Sequence, residues 1–346
     1  MNRITSSILL ILTLFVACKG GRKGPDVSGI NITLTTLRFE KDFFAIDTTN
    51  PGPGLLALQQ KYPGFSADFF ANILGIPPQA SESDKLFAVR QFIHDYRPVK
   101  EVADKTIGDM SKVEKEVRTG LQYLKFYFPE YKAPGKLITF IGPMDAYAEG
   151  ATGGYGDIIT TDALGVGLQL HLGAQSTYYT SEIGQRLYPT YISRRFEPNA
   201  IVVNCMKNII DDMIQVTNDP SLLGIMVDKG KRLYLLDQLL PDAADSVKTG
   251  YTSEQLKGAF ANEGLIWNFF VENNLVYETD PQKIKSFVGE GPKTDELGDG
   301  SPGYISLFTG RQIVRAYMDK FPKTTMKELL ALDAKKVLTG SAYKPK

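Results

Sequence analysis

Helical spacing of apolar residues dominates the sequence after Thr180 and limits the possible folds more than any other feature. Apolar residues recur there at every third or fourth position, which is typical of amphipathic helices. The long segments with this spacing are residues 198–215, 229–240, 253–274 and 304–321, and two shorter helices are expected before the tail SAYKPK. No repeat of about 20–50 residues is visible, so a helical solenoid is not expected.

The first half of the chain combines helices with a few short strands. Helical spacing covers residues 55–62, 66–74, 83–94 and 111–126, with breaks expected at Pro63, Pro77, Pro78 and Pro98. Strands are expected at residues 30–39, 136–141, 157–160 and 164–172. The pattern predicts an α+β fold that is mostly helical, with a small central sheet packed by helices.

The N-terminus has the organisation of a signal peptide. Arg3 precedes an apolar stretch of about ten residues, the length of a signal-peptide core and well short of a bilayer span. Ala17 directly precedes Cys18, as in bacterial lipoprotein signals, where cleavage leaves an acylated cysteine as the new N-terminus. The alternative is an ordinary secreted protein cut near Ala17, in which Cys18 has no role.

The leader divides the chain into three predicted parts. They are a signal peptide at 1–17, an acylated Cys18 with a flexible tether at 18–28, and a single globular domain at 29–346. Cys205 is the only other cysteine, so acylation of Cys18 would leave it without a disulfide partner.

The composition excludes several classes of function. Basic and acidic residues are equal in number, 39 of each, so no net charge attracts nucleic acid. The chain has only two histidines, His94 and His171, too far apart in sequence for a metal site that needs two neighbouring imidazoles. The two cysteines form no CxxC pattern, which argues against structural zinc. No cofactor and no metal are predicted.

The helix at 198–215 carries a polar stripe opposite a broad apolar side. The stripe contains Asn204, Lys207, Asn208 and Asp211. Asn204 and Asn208 have the spacing of the two histidines in an HExxH zinc helix, but amides are weak zinc ligands and Lys207 would repel a cation. Two interpretations remain open: the stripe is a solvated face of a core helix, or it lines a cleft that has kept a metallopeptidase shape without the chemistry.

A second candidate element is NEGLIWNFF at residues 262–270. Glu263 lies where the third ligand of a gluzincin metallopeptidase could come from, and Trp267, the only tryptophan, follows one turn later. The ordinary alternatives are an exposed carboxylate and a core aromatic residue. Further on, Arg311 and Arg315 have i, i+4 spacing and are interpreted as a solvated face or as local ion-pair partners.

Several stretches together resemble the gliding-motility lipoprotein family GldB of the Bacteroidetes. They are the leader ending at Cys18, RRFEPNAIVVNCMKNIIDDM, YLLDQLLPD, GYTSEQL, NEGLIWNFF and SPGYISLFTGRQIVRAYM running to SAYKPK. The family is similar to zincin-type metallopeptidases whose metal helix has lost its ligands. One departure is Gly310-Arg311-Gln312, where such proteins tend to carry Gly-Trp-Gln.

This resemblance implies a lipoprotein of the cell envelope that serves surface gliding, whose machinery overlaps with type IX secretion. Its expected partners are other envelope proteins of that machinery, with the membrane reached through the acyl anchor and no nucleic acid bound. Lys19, Arg22 and Lys23 follow Cys18 without the acidic run associated with export to the cell surface. The periplasmic face of the outer membrane is therefore the expected location.

Three functional hypotheses follow. The first is a non-catalytic scaffold or binding lipoprotein, a pseudoenzyme whose degenerate zincin-like cleft holds a partner. The second is a metal-independent peptide or peptidoglycan hydrolase that uses the carboxylates of Asp211, Asp212 and Glu263. The third, a sugar-capturing outer-membrane lipoprotein, is weakened by the modest chain length and the single Trp267.

Overall fold

A four-stranded mixed sheet lies near the middle of the chain and carries helices from both halves. The computed structural model describes residues 24–145, 148–150 and 153–345. The strands are β1 (Thr35–Arg38), β2 (Lys136–Phe140), β5 (Ile158–Ile159) and β6 (Ala163–Gly167), and a separate hairpin joins β3 (Ala148–Gly150) to β4 (Gly153–Tyr155). The order is β1-β2-β6-β5, with β1, β2 and β6 parallel and β5 antiparallel at one edge.

The four helical segments predicted before the second strand are present, and α1 (Phe39–Phe44) is a fifth that apolar spacing did not predict. The other four are α2 (Pro51–Lys61), α3 (Pro63–Asp68) with a π-helical turn at Phe69–Ile73, α4 (Glu82–Ile107) and α5 (Ser111–Tyr127). The expected break at Pro98 is wrong, because α4 continues through this residue for 26 residues in all. Pro98 removes the hydrogen bond to the carbonyl of His94, which lies on the solvent-exposed side of the helix, where water can replace the donor.

Helices make up most of the chain after the sheet, as expected. They are α6 (Thr177–Thr180), α7 (Glu182–Leu187), α8 (Thr190–Ser193), α9 (Ile201–Met213), α10 (Leu222–Leu239), α11 (Asp245–Thr249), α12 (Ser253–Ala261), α13 (Glu263–Glu272), α14 (Pro281–Val288), α15 (Ile305–Lys320), α16 (Met326–Ala331) and α17 (Ala334–Ser341). The single helix expected at 253–274 is two helices, because Asn262 breaks it with a non-helical backbone.

All four expected strands are shorter than predicted, and the first and the last differ most. The strand at 30–39 is confined to β1, since only four residues there find partners on β2. The strand at 164–172 ends at Gly167, after which a 3₁₀ turn spans Leu168–Leu170. Strand length is thus set by the neighbouring strands rather than by the alternation of apolar residues.

Helix α10 and helix α15 cross with their backbones in direct contact. A Cβ atom placed on Gly310 would lie 1.7 Å from the carbonyl oxygen of Met226, and one on Gly230 would lie 2.2 Å from the carbonyl oxygen of Gly310. Only glycine permits helices to approach this closely. Helix α9 packs in turn between α10, α5 and the β5–β6 edge of the sheet.

The fold class predicted from the sequence is confirmed: the protein is mostly helical α+β. Its buried apolar side chains form one cluster that extends from Leu34 to Tyr343. None of the described helices combines the length and apolarity required to cross a bilayer. The predicted signal peptide and Cys18 lie outside the described residues, and the division into tether and single domain stays a prediction.

Candidate functional site

In the α9 stripe, the side chain of Asn208 is bonded to the backbone of its own helix. The side-chain amide of Asn208 donates a hydrogen bond to the main-chain oxygen of Asn204, 3.2 Å away, and Asn208 is buried. Among the residues that the structure describes, no group of three His, Cys, Asp or Glu side chains is placed to hold a metal ion. The Asn208 amide, at the second position of the HExxH spacing, is therefore used in a hydrogen bond within the helix.

Lys207 is buried in the same stripe, with only 3% of its surface exposed. Burial and, to a smaller extent, the nearby charge of Arg195 lower the pKa of its ammonium to about 8, against the opposing effects of the Glu290 and Asp211 carboxylates. Arg195 is itself held by Glu290 through two contacts of 2.6 Å. This part of the stripe is consequently not a solvated face.

Asp211 is one member of a buried ion-pair cluster. The fully buried guanidinium of Arg232 contacts the Asp211 carboxylate at 2.7 Å and that of Asp228 at 3.0 Å. It also donates to the main-chain oxygens of Ile214 and Gln215, at 2.8 and 3.1 Å, at the end of α9. These carbonyls have no donor within the helix, so Arg232 caps α9 and fixes Asp211 in a structural role.

Glu263 and Trp267 are brought together by the C-terminal tail. The Tyr343 hydroxyl donates to Glu263 Oε1 at 2.8 Å, and the Gln312 amide donates to Glu263 Oε2 at 2.9 Å. The Tyr343 ring lies edge-on to Trp267, with centroids 5.2 Å apart. Burial and the Glu263 carboxylate both raise the pKa of the Tyr343 hydroxyl above its ordinary value. This cluster holds the C-terminal tail against α13 and α15. None of its hydrogen bonds involves Asn204 or Asn208, so Glu263 is not joined to the asparagines of α9 by these contacts.

A groove of about 590 Å³ lies beside the edge strand β5. Its walls include Ile158, Ile159 and Thr160 from the strand region and Asp212 from α9. Further lining residues are Asp68, Asn72, Ile73, Tyr131, Lys132, Pro134 and Thr161. Of the sequence-derived candidates, Asp212 lines this groove, and its carboxylate accepts a 2.6 Å hydrogen bond from the hydroxyl of Tyr131.

Within the described part of the chain, no strand pairs with the outer side of β5, which borders this groove. The amide of Thr160 donates to the carbonyl of Ala163 at 2.8 Å, and Ile158 and Ile159 pair with Gly165 and Leu164 of β6. Inward and outward hydrogen-bonding residues alternate along an antiparallel strand. The amide and carbonyl of Ile159 therefore point away from β6, toward the open side of the sheet.

Sequence reasoning missed a buried charge network around α15. Arg311 is 1% exposed and forms a two-point contact with Asp237, at 2.8 and 2.6 Å, and a third contact of 2.7 Å with Asp245. Arg315 reaches Asp237 at 2.9 Å, and Lys248 reaches it at 3.0 Å. The interpretation of Arg311 as part of a solvated face is wrong, because its carboxylate partners come from α10 and α11. A charged Asp237 within the apolar run YLLDQLL was the available signal.

Comparison with known proteins identifies the family. A family model described as gliding motility protein GldB matches residues 20–345, nearly the whole chain. The chain belongs to the GldB family. No curated protein and no solved structure matches it.

Membership of the GldB family confirms the resemblance seen in the sequence. GldB proteins are lipoproteins associated with gliding motility, and the chain is accordingly a membrane-anchored protein of the cell envelope. The residues of α9, the β5 groove and the α15 network described above all lie within the region that matches the family.

Proposed function

We propose that this GldB-family chain is a non-catalytic, lipid-anchored component of the gliding motility and type IX secretion apparatus. In this proposal it acts on the periplasmic face of the outer membrane and binds an extended segment of a partner envelope protein. The segment lies along β5, in the groove between that strand and Asp212.

The open edge of β5 is the observation that carries this proposal. Exposed strand edges offer unpaired amides and carbonyls, and natural proteins usually cover or shorten such edges. Here the outward amide and carbonyl of Ile159 face a groove of about 590 Å³. An extended peptide can add a strand at such an edge, where main-chain hydrogen bonds supply affinity and the groove selects side chains.

Helix α9, which carries the asparagine spacing, contributes one wall of the proposed binding groove through Asp212. Helix α9 packs beneath β5 and β6, so the groove lies beside the helix that would carry the metal ligands in a zincin. Asn208 and Lys207 of this helix are buried, and Asp211 is held by Arg232. The metal-independent hydrolase hypothesis gains no support from these contacts, because the carboxylates of Asp211, Asp212 and Glu263 all accept hydrogen bonds from neighbouring side chains.

The test is a matched pair of substitutions at one position. Ile159→Pro removes the outward amide and leaves the β6 ladder intact, since proline is tolerated on a strand edge. Ile159→Val keeps the amide and nearly the same volume. We expect cells with the proline variant to lose gliding and type IX secretion while keeping normal protein levels, and the valine variant to behave as wild type. Normal gliding with Ile159→Pro would reject binding at this edge.

The proposed absence of catalysis is tested separately, on purified protein. Purified protein, analysed for bound metal by mass spectrometry and for turnover of peptides and peptidoglycan fragments, is expected to show no tightly held zinc and no turnover. Stoichiometric zinc whose removal by a chelator abolishes peptidase activity would overturn the non-catalytic assignment. Turnover that Glu263→Gln abolishes would instead establish the carboxylate hydrolase.

A further inference from the structure

A small cavity of about 20 Å³ lies where the segments that follow α8, α11 and α14 meet the segment that leads into α15. It shares no lining residue with the β5 groove. The lining residues are Tyr191, Arg194, Arg195, Thr249, Gly250, Tyr251, Glu290, Gly291, Gly303 and Tyr304. They include parts of three stretches through which the sequence resembles the GldB family: RRFEP, GYTSEQL and SPGYISLF.

Direct contacts between these segments hold the walls of the cavity in place. A Cβ atom placed on Gly303 would lie 2.3 Å from the carbonyl oxygen of Gly291, so the two backbones touch. The hydroxyl of Tyr251 donates a 2.8 Å hydrogen bond to the main-chain oxygen of Tyr304. The cavity is therefore formed before any ligand enters it, which lowers the entropic cost of binding.

The lining carries more positive than negative charge. The guanidinium groups of Arg194 and Arg195 line the cavity with one carboxylate, that of Glu290, which leaves an excess of one positive charge. Arg195 pairs with Glu290 through two contacts of 2.6 Å, whereas Arg194 forms no ion pair with a described residue. Burial and the neighbouring charge of Arg195 lower the pKa of Arg194, against the opposing effects of Glu290 and Tyr251. The charge of Arg194 is therefore the one left without a direct counter-ion.

Arg194 also has hydrogen-bond donors left for a ligand. Its Nε and Nη2 atoms donate to the carbonyl oxygen of Gly250, at 3.1 and 2.9 Å. Its Nη1 has no acceptor among the described residues, and Nη2 has a second N–H group. The edge formed by Nη1 and Nη2 can therefore donate to both oxygens of a carboxylate, the two-point geometry typical of arginine. The hydroxyl of Tyr191, which has no hydrogen-bond partner in the described part of the chain, is a further donor in the lining.

The buried ammonium of Lys207 adds a second unpaired positive charge near this site. Lys207 does not line the cavity, but the charges of Arg195 and Glu290, which do line it, are close enough to shift the pKa of Lys207. The side chain of Lys207 forms no hydrogen bond or ion pair with any of the described residues, although it is buried. Buried ammonium groups are normally paired. An anion in the cavity would offset this charge together with that of Arg194.

We propose that this cavity binds one carboxylate group of a ligand, through the Nη1–Nη2 edge of Arg194 and the hydroxyl of Tyr191. A single negative charge matches the excess of one positive charge in the lining. A volume of about 20 Å³ admits one or two groups of the size of a water molecule, which suits two carboxylate oxygens better than the four oxygens of a phosphate. Two peptide groups have this chemistry, the carboxylate of a chain end and that of an acidic side chain. The site does not depend on binding at β5.

Binding of small carboxylates to the purified full-length protein tests this site. The first probe is ¹³C-labelled formate, whose affinity is measured from the broadening of its NMR line by the protein. Two competitors then separate the sources: N-acetylalanine has the carboxylate of a chain end, and N-acetylaspartic acid α-amide has that of a side chain. We expect formate to bind, and at least one of these competitors to displace it more effectively than inorganic phosphate at the same ionic strength. Absence of formate binding, or displacement best achieved by phosphate, would overturn the proposal.

Two variants with opposite expected effects locate the bound formate. Arg194→Gln should weaken binding about tenfold, because it removes the charged two-point donor. Glu290→Gln should strengthen binding about threefold, because the lining loses its carboxylate and keeps its size. Arg90→Gln, at an exposed position on α4, makes the same charge change as Arg194→Gln and should bind like wild type.

Circular dichroism checks the folding of each variant. Loss of structure does not produce tighter binding, so Glu290→Gln tests the site even where Arg194→Gln fails to fold. Unchanged affinity in a folded Arg194→Gln, or an unchanged or weaker affinity in a folded Glu290→Gln, would reject the proposal.

Discussion

Individual buried charges give this protein its strongest local constraints. Arg232 illustrates the point, because one guanidinium joins α10 to two carboxylates and to the last carbonyls of α9. Removing one partner from such a cluster leaves the other charges buried and uncompensated, which costs more than the ion pair contributes.

We expect Arg232→Met to lower the free energy of unfolding by about 3–5 kcal/mol, because Asp211 and Asp228 lose their shared cation. Urea denaturation of purified protein measures the change. The control is Arg186→Met, which removes a highly exposed i, i+4 pair with Glu182 and should change stability little, since solvent screens such pairs. Similar losses for the two variants would contradict the assigned role of Arg232.

His171 provides a second prediction at the residue scale. Its Nε2 lies 3.0 Å from the Asp157 carboxylate and its Nδ1 lies 3.2 Å from the carbonyl of Glu197, so both nitrogens need protons to donate. Burial disfavours the charged ring, but the charge and hydrogen bond of Asp157 and the Glu197 carbonyl outweigh it and raise the pKa of His171 above its ordinary value.

A raised pKa in the folded state stabilises the protein below the unfolded-state pKa, which is about 6.5, and this contribution is lost as pH rises through the folded-state pKa. The stability difference between wild type and His171→Gln should therefore shrink from acidic to alkaline pH in denaturation experiments. His94, the only other histidine, has an 83% exposed side chain, and His94→Gln serves as the control. A difference that is constant or grows with pH would refute the charged His171.

At the scale of secondary-structure elements, the close crossing of α10 and α15 constrains how these two helices pack. A methyl group at Gly310 would overlap the backbone of Met226, and neither helix can move without disturbing the Asp237–Arg311 contact between them. Backbone proximity and a buried ion pair thus fix the same interface.

We expect Gly310→Ala to lower the free energy of unfolding by about 3 kcal/mol or more, because the helices must separate to admit the methyl group. Gly64→Ala is the matched control in helix α3, where the nearest atom to a Cβ atom, an Asp162 carboxylate oxygen, is 3.8 Å away. This control should raise stability by about 0.4–1 kcal/mol, since alanine restricts the unfolded chain. Thermal unfolding distinguishes the two signs, and a tolerated Gly310→Ala would disprove the close crossing.

Helices defined by the spacing of apolar residues were predictable from the sequence. The positions at which helices break or continue were not. Apolar spacing predicted the helix at residues 111–126, which the structure has as Ser111–Tyr127. The break at Asn262 and the continuation through Pro98 depend on backbone geometry and solvent exposure, which spacing does not report.

The candidate site also contains features that a local sequence pattern predicts and features that depend on contacts between distant residues. The α9 stripe could be located from its pattern, but Tyr343 contacts Glu263 across 80 residues and Arg311 contacts Asp237 across 74, so no local pattern reveals these pairings. The outward amide of Ile159 follows from the order of strands, which only the tertiary structure provides.

At the scale of the whole molecule, the lipid anchor remains the central prediction. Cys18→Ser should abolish incorporation of labelled palmitate and leave the protein outside the lipoprotein fraction, because no other residue offers the acylation site. Cys205, a buried free cysteine in the described part of the chain, is the control, and Cys205→Ser should keep the label. Labelling that survives Cys18→Ser would refute the assignment.

The docking of the tail on Glu263 and Trp267 has a consequence for biogenesis. Tyr343 is synthesised after Glu263 and Trp267, the two residues that it contacts in the core. The C-terminal half of the core is therefore completed only after Tyr343 has emerged, so a nascent chain in transit keeps part of its apolar surface uncovered.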